Sequence, residues 1–212
     1  MTGTVDFDRP STRQLPAAGQ SHVGSFLVLN SGMAKRLFLA LELPGALTRT
    51  LAALDPHLTG LRWLPASGLH LTLAFLGDVE AEKREELVQA LSGIETEPFE
   101  LSLRGLGRFG HRGRPPVIVI AEIDSPPPEL FSLWSTTQKA IGEVGLPTES
   151  RPFHPHVTLG RGKQCSEARL KDFLVPNADT EFGTFRVDGL SLFSSELTPQ
   201  GAHYTLEFRK AF

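Results

Sequence analysis

"LHLTLAFLG" (residues 69–77) and "PHVTLGRG" (residues 155–162) carry the same pattern, His-x-Thr-Leu, in two distant parts of the chain. A lone histidine on a strand is usually a polar residue that has found a partner or solvent. Two copies at identical spacing, in a chain with 7 His, far exceed chance. Side chains alternate along an extended strand. His70, Thr72 and Ala74 are therefore expected on one face, opposite Leu71, Leu73 and Phe75. His156, Thr158 and Gly160 share a face opposite Val157 and Leu159. Each stretch then presents an imidazole and a hydroxyl from a rigid element with a hydrophobic layer behind it.

Around these stretches the chain alternates strand-like and helix-like segments. "KRLFLALEL" (35–43) reads as a strand, and Pro44 opens a helical pattern that Pro56 closes. "LRWLP" (61–65) is a short strand and 69–76 another. Residues 78–94 form an amphipathic helix and 99–110 a strand running into a basic turn. The order then recurs: a strand at 116–123, a proline-started helix, a strand at 156–161, a helix at "SEARLKDFLV", a single strand across "FRVDGLSLFSSEL" and a last strand at 203–209. Arg36 aligns with Val117, His70 with His156 and Gly105 with Gly189. These near-equal offsets indicate a duplication, with a first half of about 33–114 and a second of about 115–212 inside one domain, 33–212. Residues 1–32 lack periodicity and read as a flexible extension; Met33, just before the first strand, is a candidate true start.

Composition narrows the function classes. The formal charge is −3 and the pI about 6.2, so no global positive field draws in long nucleic acid. Any such contact must be local. Cys165 is the only cysteine, which rules out an internal disulfide and a multi-cysteine zinc site. The apolar run at 37–44 is too short to span a bilayer, no secretory signal is evident, and the cytoplasm is the expected compartment.

Halves packed about a pseudo-twofold axis would turn both strands toward one cleft, with a histidine on either side of a substrate. Imidazole titrates near 6.5, so one ring can give a proton while the other takes one. Threonine hydroxyls and a nearby cation suit a phosphoryl group whose charge grows during in-line displacement.

"RLFLALELP" (36–44), "RWLPASGLHLTLAFLGDV" (62–79), "LGRFG" (106–110) and "RPFHPHVTLGRG" (151–162), taken in order, resemble the blocks of the two-histidine phosphoesterases, specifically the RNA 2′,3′-cyclic phosphodiesterases also called 2′-5′ RNA ligases. The resemblance covers about residues 34–210. It implies an α+β fold of two pseudo-symmetric lobes, each an antiparallel sheet with helices on its outer side, around a central cleft. It implies metal-independent, cofactor-free hydrolysis of RNA 2′,3′-cyclic phosphate ends to 2′-phosphomonoesters, with ATP-independent ligation as the reverse. His70 matches the proton donor, His156 the proton acceptor, and Thr72, Thr158 and Arg161 the phosphate-binding positions. Arg151, Arg108 and Phe109 are candidate RNA contacts, with Trp63 a further stacking surface. One block departs: the family's Arg-Val-hydrophobic-Trp run is replaced by "RPPVIVIAEI". The basic turn 104–114, with four arginines and His111, is a candidate local surface for RNA ends. Two complete lobes make a monomer sufficient, and no membrane partner is expected.

Other readings of the same residues remain. A small substrate such as ADP-ribose cyclic phosphate, or a non-catalytic RNA-binding module, would use the same cleft. His154 and His156 with His70 would give three nitrogens to a zinc ion, although no carboxylate joins them and the threonines would go unexplained. Nothing in the sequence marks Cys165 as an activated nucleophile.

Overall fold

The computed structural model describes residues 33–110, 116–199 and 201–212. The proposed extension 1–32 and His111, Arg112 and Arg114 of the basic turn lie outside them. All described residues belong to one unit, Ser31–Phe212. Its strands are β1 (Lys35–Glu42), β2 (Leu61–Trp63), β3 (His70–Val79), β4 (Phe99–Phe109), β5 (Val117–Asp124), β6 (His156–Gly162), β7 (Glu181–Val187), β8 (Gly189–Thr198) and β9 (Gly201–Ala211). The helices are α1 (Gly45–Ala52), α2 (Ala81–Ser92), α3 (Pro128–Glu143) and α4 (Glu167–Leu174).

The strands run in the order β7-β4-β5-β6-β3-β1-β8-β9, all neighbours antiparallel, with β2 added onto β6. At the middle, β3 and β6 share a single register pair, Leu71 with Val157. The groups on either side form the two lobes. Three helices bury an apolar stripe, Leu47 and Leu51 of α1, Leu87 and Leu91 of α2, and Leu130, Leu133 and Ile141 of α3, and α4 buries Leu170. These join Leu37, Leu39, Leu41, Leu71, Leu103, Val119, Val157 and Leu159 in one continuous core on the helix side of the sheet.

The pseudo-repeat and the lobes are not the same division of the chain. β4, from the first repeat, pairs with β5 of the second, while β8, from the second, pairs with β1 of the first. The first repeat thus places β2 and β4 in the opposite lobe and the second places β8 and β9 there, so neither completes a lobe without the other. Register also refines the alignment of the repeats. Glu42 sits opposite His70 and Glu122 opposite His156, an offset of one residue less than Arg36 with Val117 implies.

Residues 185–197, expected as one strand, are two. β7 ends at Val187 against β4, and β8 begins at Gly189 against β1. The equivalent change of course in β4 occurs at Gly105, whose φ of +81° suits only glycine, and where a Cβ would come within 2.4 Å of the Ala178 carbonyl oxygen.

Candidate active site

Strand alternation holds for the first three residues of β3 and β6 and then breaks. Along β3, Ala40 pairs with Thr72 but Leu39 pairs with Ala74, so Leu73 is an extra residue, a β-bulge. Along β6, Ile120 pairs with Thr158 but Val119 pairs with Gly160, so Leu159 is the extra residue. The two bulges occupy matching places in the two repeats. Because side-chain direction has a period of two, one inserted residue reverses every face beyond it. Ala74 and Gly160, expected beside the histidines, are buried, and Phe75, expected in the core, is 65% exposed. Phe75 and Arg161 now share the face of His70, Thr72, His156 and Thr158.

That face lines a cleft of about 500 Å³, walled by His70, Thr72, Thr158, Arg161 and Phe75 together with Arg36, Arg62, Phe38 and Tyr204. Arg36 and Arg62 were not singled out from the sequence. Arg36 has the same strand parity as Phe38, a signal that was available. Arg62 sits directly opposite Arg161 across β2 and β6, a pairing that no sequence pattern announces. Both guanidiniums line the cleft and give this wall a local positive charge, which suits an anionic group.

Both imidazoles are held by a carbonyl two residues upstream. His156 Nδ1 lies 2.7 Å from the His154 carbonyl oxygen, and the His70 ring donates to the Gly68 carbonyl. Pro155 helps explain the first contact, since it is rigid itself and holds His154 in an extended conformation. With Nδ1–H donating, His156 keeps its Nε2 lone pair for chemistry. Phe38 stacks on the His70 ring at 4.7 Å and Tyr204 meets it edge-on at 5.3 Å. Phe109 meets the His156 ring edge-on at 4.8 Å.

Burial, then the Arg161 guanidinium, push the His70 pKa down from 6.5 to about 4; the Gly68 carbonyl opposes this and His156 adds to it. His156 is lowered too, first by burial, with His154 and Arg161 contributing and the His154 carbonyl opposing. At neutral pH both rings are therefore uncharged, and an anion beside them is what favours protonating one.

The other candidates divide differently. Arg108 donates through Nη1 to both Glu167 carboxylate oxygens, at 2.8 and 2.6 Å, and its Nη2 is buried with no hydrogen-bond partner. Arg151 is exposed and paired with Glu149 at 2.8 Å. Arg104 of the basic turn lies 4.0 Å from Asp179. Phe109 packs against His154 and His156. Trp63 donates from Nε1 to the Leu51 carbonyl and meets Phe173 edge-on, so its ring belongs to the core side. Among the described residues no group of three His, Cys, Asp or Glu is placed to hold a metal ion, and no helix is long and apolar enough to cross a membrane. Burial and Glu167 push the Cys165 thiol up, away from a reactive thiolate.

His70, Thr72 and Thr158 line the cleft, while His156 stands at its margin, outside the lining but near enough to His70 to lower its pKa; two lobes that each carry a His-x-Thr strand at their junction have the two-histidine phosphoesterase fold. The chain belongs to the 2′-5′ RNA ligase superfamily, whose family model matches residues 43–199. It is similar to an RNA 2′,3′-cyclic phosphodiesterase of Thermus thermophilus, 34% identical over 181 residues, 81% of this chain and 87% of the relative. A Methanocaldococcus jannaschii protein of the same name is 29% identical over 80% of this chain and 96% of its own length. Among solved structures, Escherichia coli LigT complexed with 3′-AMP superposes with a TM-score of 0.70 at 31% identity, covering 84% of this chain and 98% of LigT. TT0787 of Thermus thermophilus gives 0.67 at 29% identity, covering 83% and 97%.

Proposed function

We propose that this protein hydrolyses the 2′,3′-cyclic phosphate at RNA ends to a 2′-phosphomonoester by acid–base catalysis between His156 and His70. The observation that carries this reading is the pair of imidazoles at matching positions of two bulged strands, each anchored by a carbonyl two residues upstream and each accompanied by a threonine. Its relatives' names point to the same chemistry.

Water attacks phosphorus as its proton passes to Nε2 of His156; the bond from phosphorus to the 3′ oxygen breaks, and His70 supplies that oxygen with a proton. Thr72 and Thr158 donate to the phosphoryl oxygens, and Arg161 offsets the charge that builds on them. The depressed pKa of His70 bears directly on its role. A phosphodiester carries one negative charge, and placing it beside the ring raises the cost of losing the proton. Substrate binding itself thus charges the acid. With an RNA 5′-hydroxyl in place of water as the nucleophile, the same steps in the same direction form the bond from the 5′ oxygen to phosphorus, break the bond to the 3′ oxygen and leave a 2′-5′ linkage without ATP.

The test compares a cyclic-phosphate-ended oligoribonucleotide with a 2′,3′-cyclic mononucleotide and with ADP-ribose cyclic phosphate, identifying each product. Preferential turnover of the oligomer, yielding a 2′-phosphate, is expected. A 3′-phosphate product would reverse the assignment of the leaving oxygen, and binding without turnover of any of the three would make the protein an RNA-binding module.

A further inference from the structure

Three arginines among the described residues line the cleft, Arg36, Arg62 and Arg161, and they do not all stand around the histidines. Arg161 alone of the three bears on the His70 and His156 pKa values, so its guanidinium is the one beside the reacting centre. Arg36 enters from the far part of β1: Ala40 pairs with Thr72, and Arg36 lies four residues further along, about 13 Å in an extended strand. Asp78, its register partner on β3, is exposed and is not part of the cleft lining. Leu37 pairs with Ser194 on β8, and the β8–β9 hairpin continues from there through Ser195 and Leu197 to Gly201, the first residue of β9. Arg62 reaches this hairpin from the other lobe. A Cβ on Gly201 would collide with Arg62 Nη2 and lie 3.1 Å from its Cζ, and Gly201 has a φ of +136°. A side chain there would displace the guanidinium, and glycine leaves the room it occupies. The cleft thus has a catalytic end, with His70, Thr72, Thr158 and Arg161, and a second cationic end walled by Arg36, Arg62 and the hairpin. No carboxylate lines either end among the described residues.

We propose that Arg36 and Arg62 form a second anion subsite, which takes the phosphodiester on the 5′ side of the terminal nucleotide, and that Gly201 is a positioning residue that keeps the place of Arg62 open. This rests on reading the cleft as a site for RNA cyclic phosphate ends and deepens that reading. The cyclic phosphate carries one negative charge, which Arg161 offsets. Two further guanidiniums away from the rings call for another anion, and on such an RNA end the next anion along the strand is the phosphodiester at the 5′ oxygen. Contacts to that group carry no sequence information. They let the cleft favour a strand end over a cyclic mononucleoside whatever its base.

The experiment measures KM and kcat for adenosine 2′,3′-cyclic phosphate with a free 5′-hydroxyl and for the same nucleoside carrying a methyl phosphodiester on its 5′ oxygen. The two share the base and the reacting group and differ by one charged phosphodiester. For the wild type, KM is expected to be about 10-fold or more lower for the diester, the scale of one charge-assisted contact. Arg36→Gln and Arg62→Gln should each remove most of that preference, and Gly201→Ala should act like Arg62→Gln. Gly183→Ala is the control: its φ is +124°, so the backbone strain is comparable, but its added Cβ meets nothing within 4 Å, and the preference should persist. Because Arg36 is exposed and the collision at Gly201 is with the end of a flexible side chain, the variants should fold and melt near the wild type. A wild type that turns over both compounds with equal KM would overturn the proposal and leave the phosphodiesterase reading standing. So would a rise in KM by the same factor for both compounds in the arginine variants, which would assign these side chains to the cyclic phosphate. A preference that survives Gly201→Ala in full would overturn the role given to Gly201. A wild type inert on both compounds and on the cyclic-ended oligomer would remove the phosphodiesterase reading, and this proposal with it.

Discussion

The two lobes share a backbone plan and differ in what they show the cleft. In both, a strand begins with His-x-Thr, carries a bulge three residues after the histidine, and re-aims the fifth residue after it toward the cleft. In one that residue is Phe75, layered on Phe38 and Phe193; in the other it is Arg161, level with Ile118 and Phe109. The shared part supplies what acid–base chemistry needs twice, a tethered imidazole with a hydroxyl beside it. The unshared part is a flat apolar surface on one side and a cation on the other. On the proposed reading, the symmetric part serves the reaction and the cation serves the phosphate.

The strongest way to break the comparison is at the histidines. His70→Ala and His156→Ala should each lower turnover of a cyclic-ended oligonucleotide by about 10²-fold or more, measured by single-turnover product formation. Binding, followed by fluorescence of a labelled oligomer, should change much less. If one substitution alone were costly, the lobes would not share the chemistry.

The same imidazoles should leave a mark on stability. His70 titrates near 4 in the fold against 6.5 when free, so between those values the unfolded chain holds a proton that the folded one lacks. Stability therefore falls as pH drops from 6.5 toward 4, by up to about 3 kcal/mol from this group alone, and the loss is absent above 6.5. Urea titrations at pH 7 and pH 4.5 should show a smaller acid-side loss in His70→Gln than in the wild type. Equal losses in both would mean that His70 is not held neutral.

Arg161→Gln should reduce kcat/KM by about 10- to 100-fold, through loss of the phosphate's cationic partner. It should also move both limbs of the kcat/KM profile to higher pH, because the guanidinium lowers His70 and His156 alike. A profile that drops in height without shifting would place Arg161 away from the rings. In the wild type the falling limb of kcat should lie above that of kcat/KM, since the bound anion holds the proton on His70.

How much of this the sequence displayed depends on how far each signal reaches along the chain. His70, Thr72, His156 and Thr158 were legible as a group because three residues of a four-residue pattern repeat and alternation carries them to one face. The bulges at Leu73 and Leu159 were not, because a bulge is a relation between two strands and leaves no mark in one. For that reason simple alternation puts Phe75 in the core, and Arg161 rests on resemblance rather than on strand parity. The duplication was visible in its offsets, yet the exchange of β4 and β8 between lobes was not, since both orders give the same run of elements along the chain. Tyr204 on β9 reaches His70 only through that exchange.

Arg108 tests a different boundary, between a residue that holds a lobe together and one that touches RNA. Its side chain is 18% exposed and clasped by Glu167 from α4. Arg108→Met should cost about 1–3 kcal/mol of stability, read from urea midpoints, because Glu167 loses its partner. KM for the oligonucleotide should change by less than about threefold.

Arg151 should show the smallest effect of all. It precedes the second histidine motif in the same sequence block, which made it a candidate RNA contact, but its guanidinium is spent on Glu149 two residues away in an exposed pair. Exposed pairs of this kind contribute little to stability, and their side chains remain free to exchange partners. Arg151→Gln is therefore expected to leave kcat/KM within about twofold at moderate salt. The informative comparison is with Glu149→Gln, which frees the arginine instead of removing it. If Arg151 lies on the path of the RNA, the freed arginine should lower KM and Arg151→Gln should raise it, both more strongly at low salt. If it only closes its own turn, neither substitution will separate from the wild type, and the cations left to meet the proposed RNA end are, among the described residues of the cleft wall, Arg161, Arg62 and Arg36.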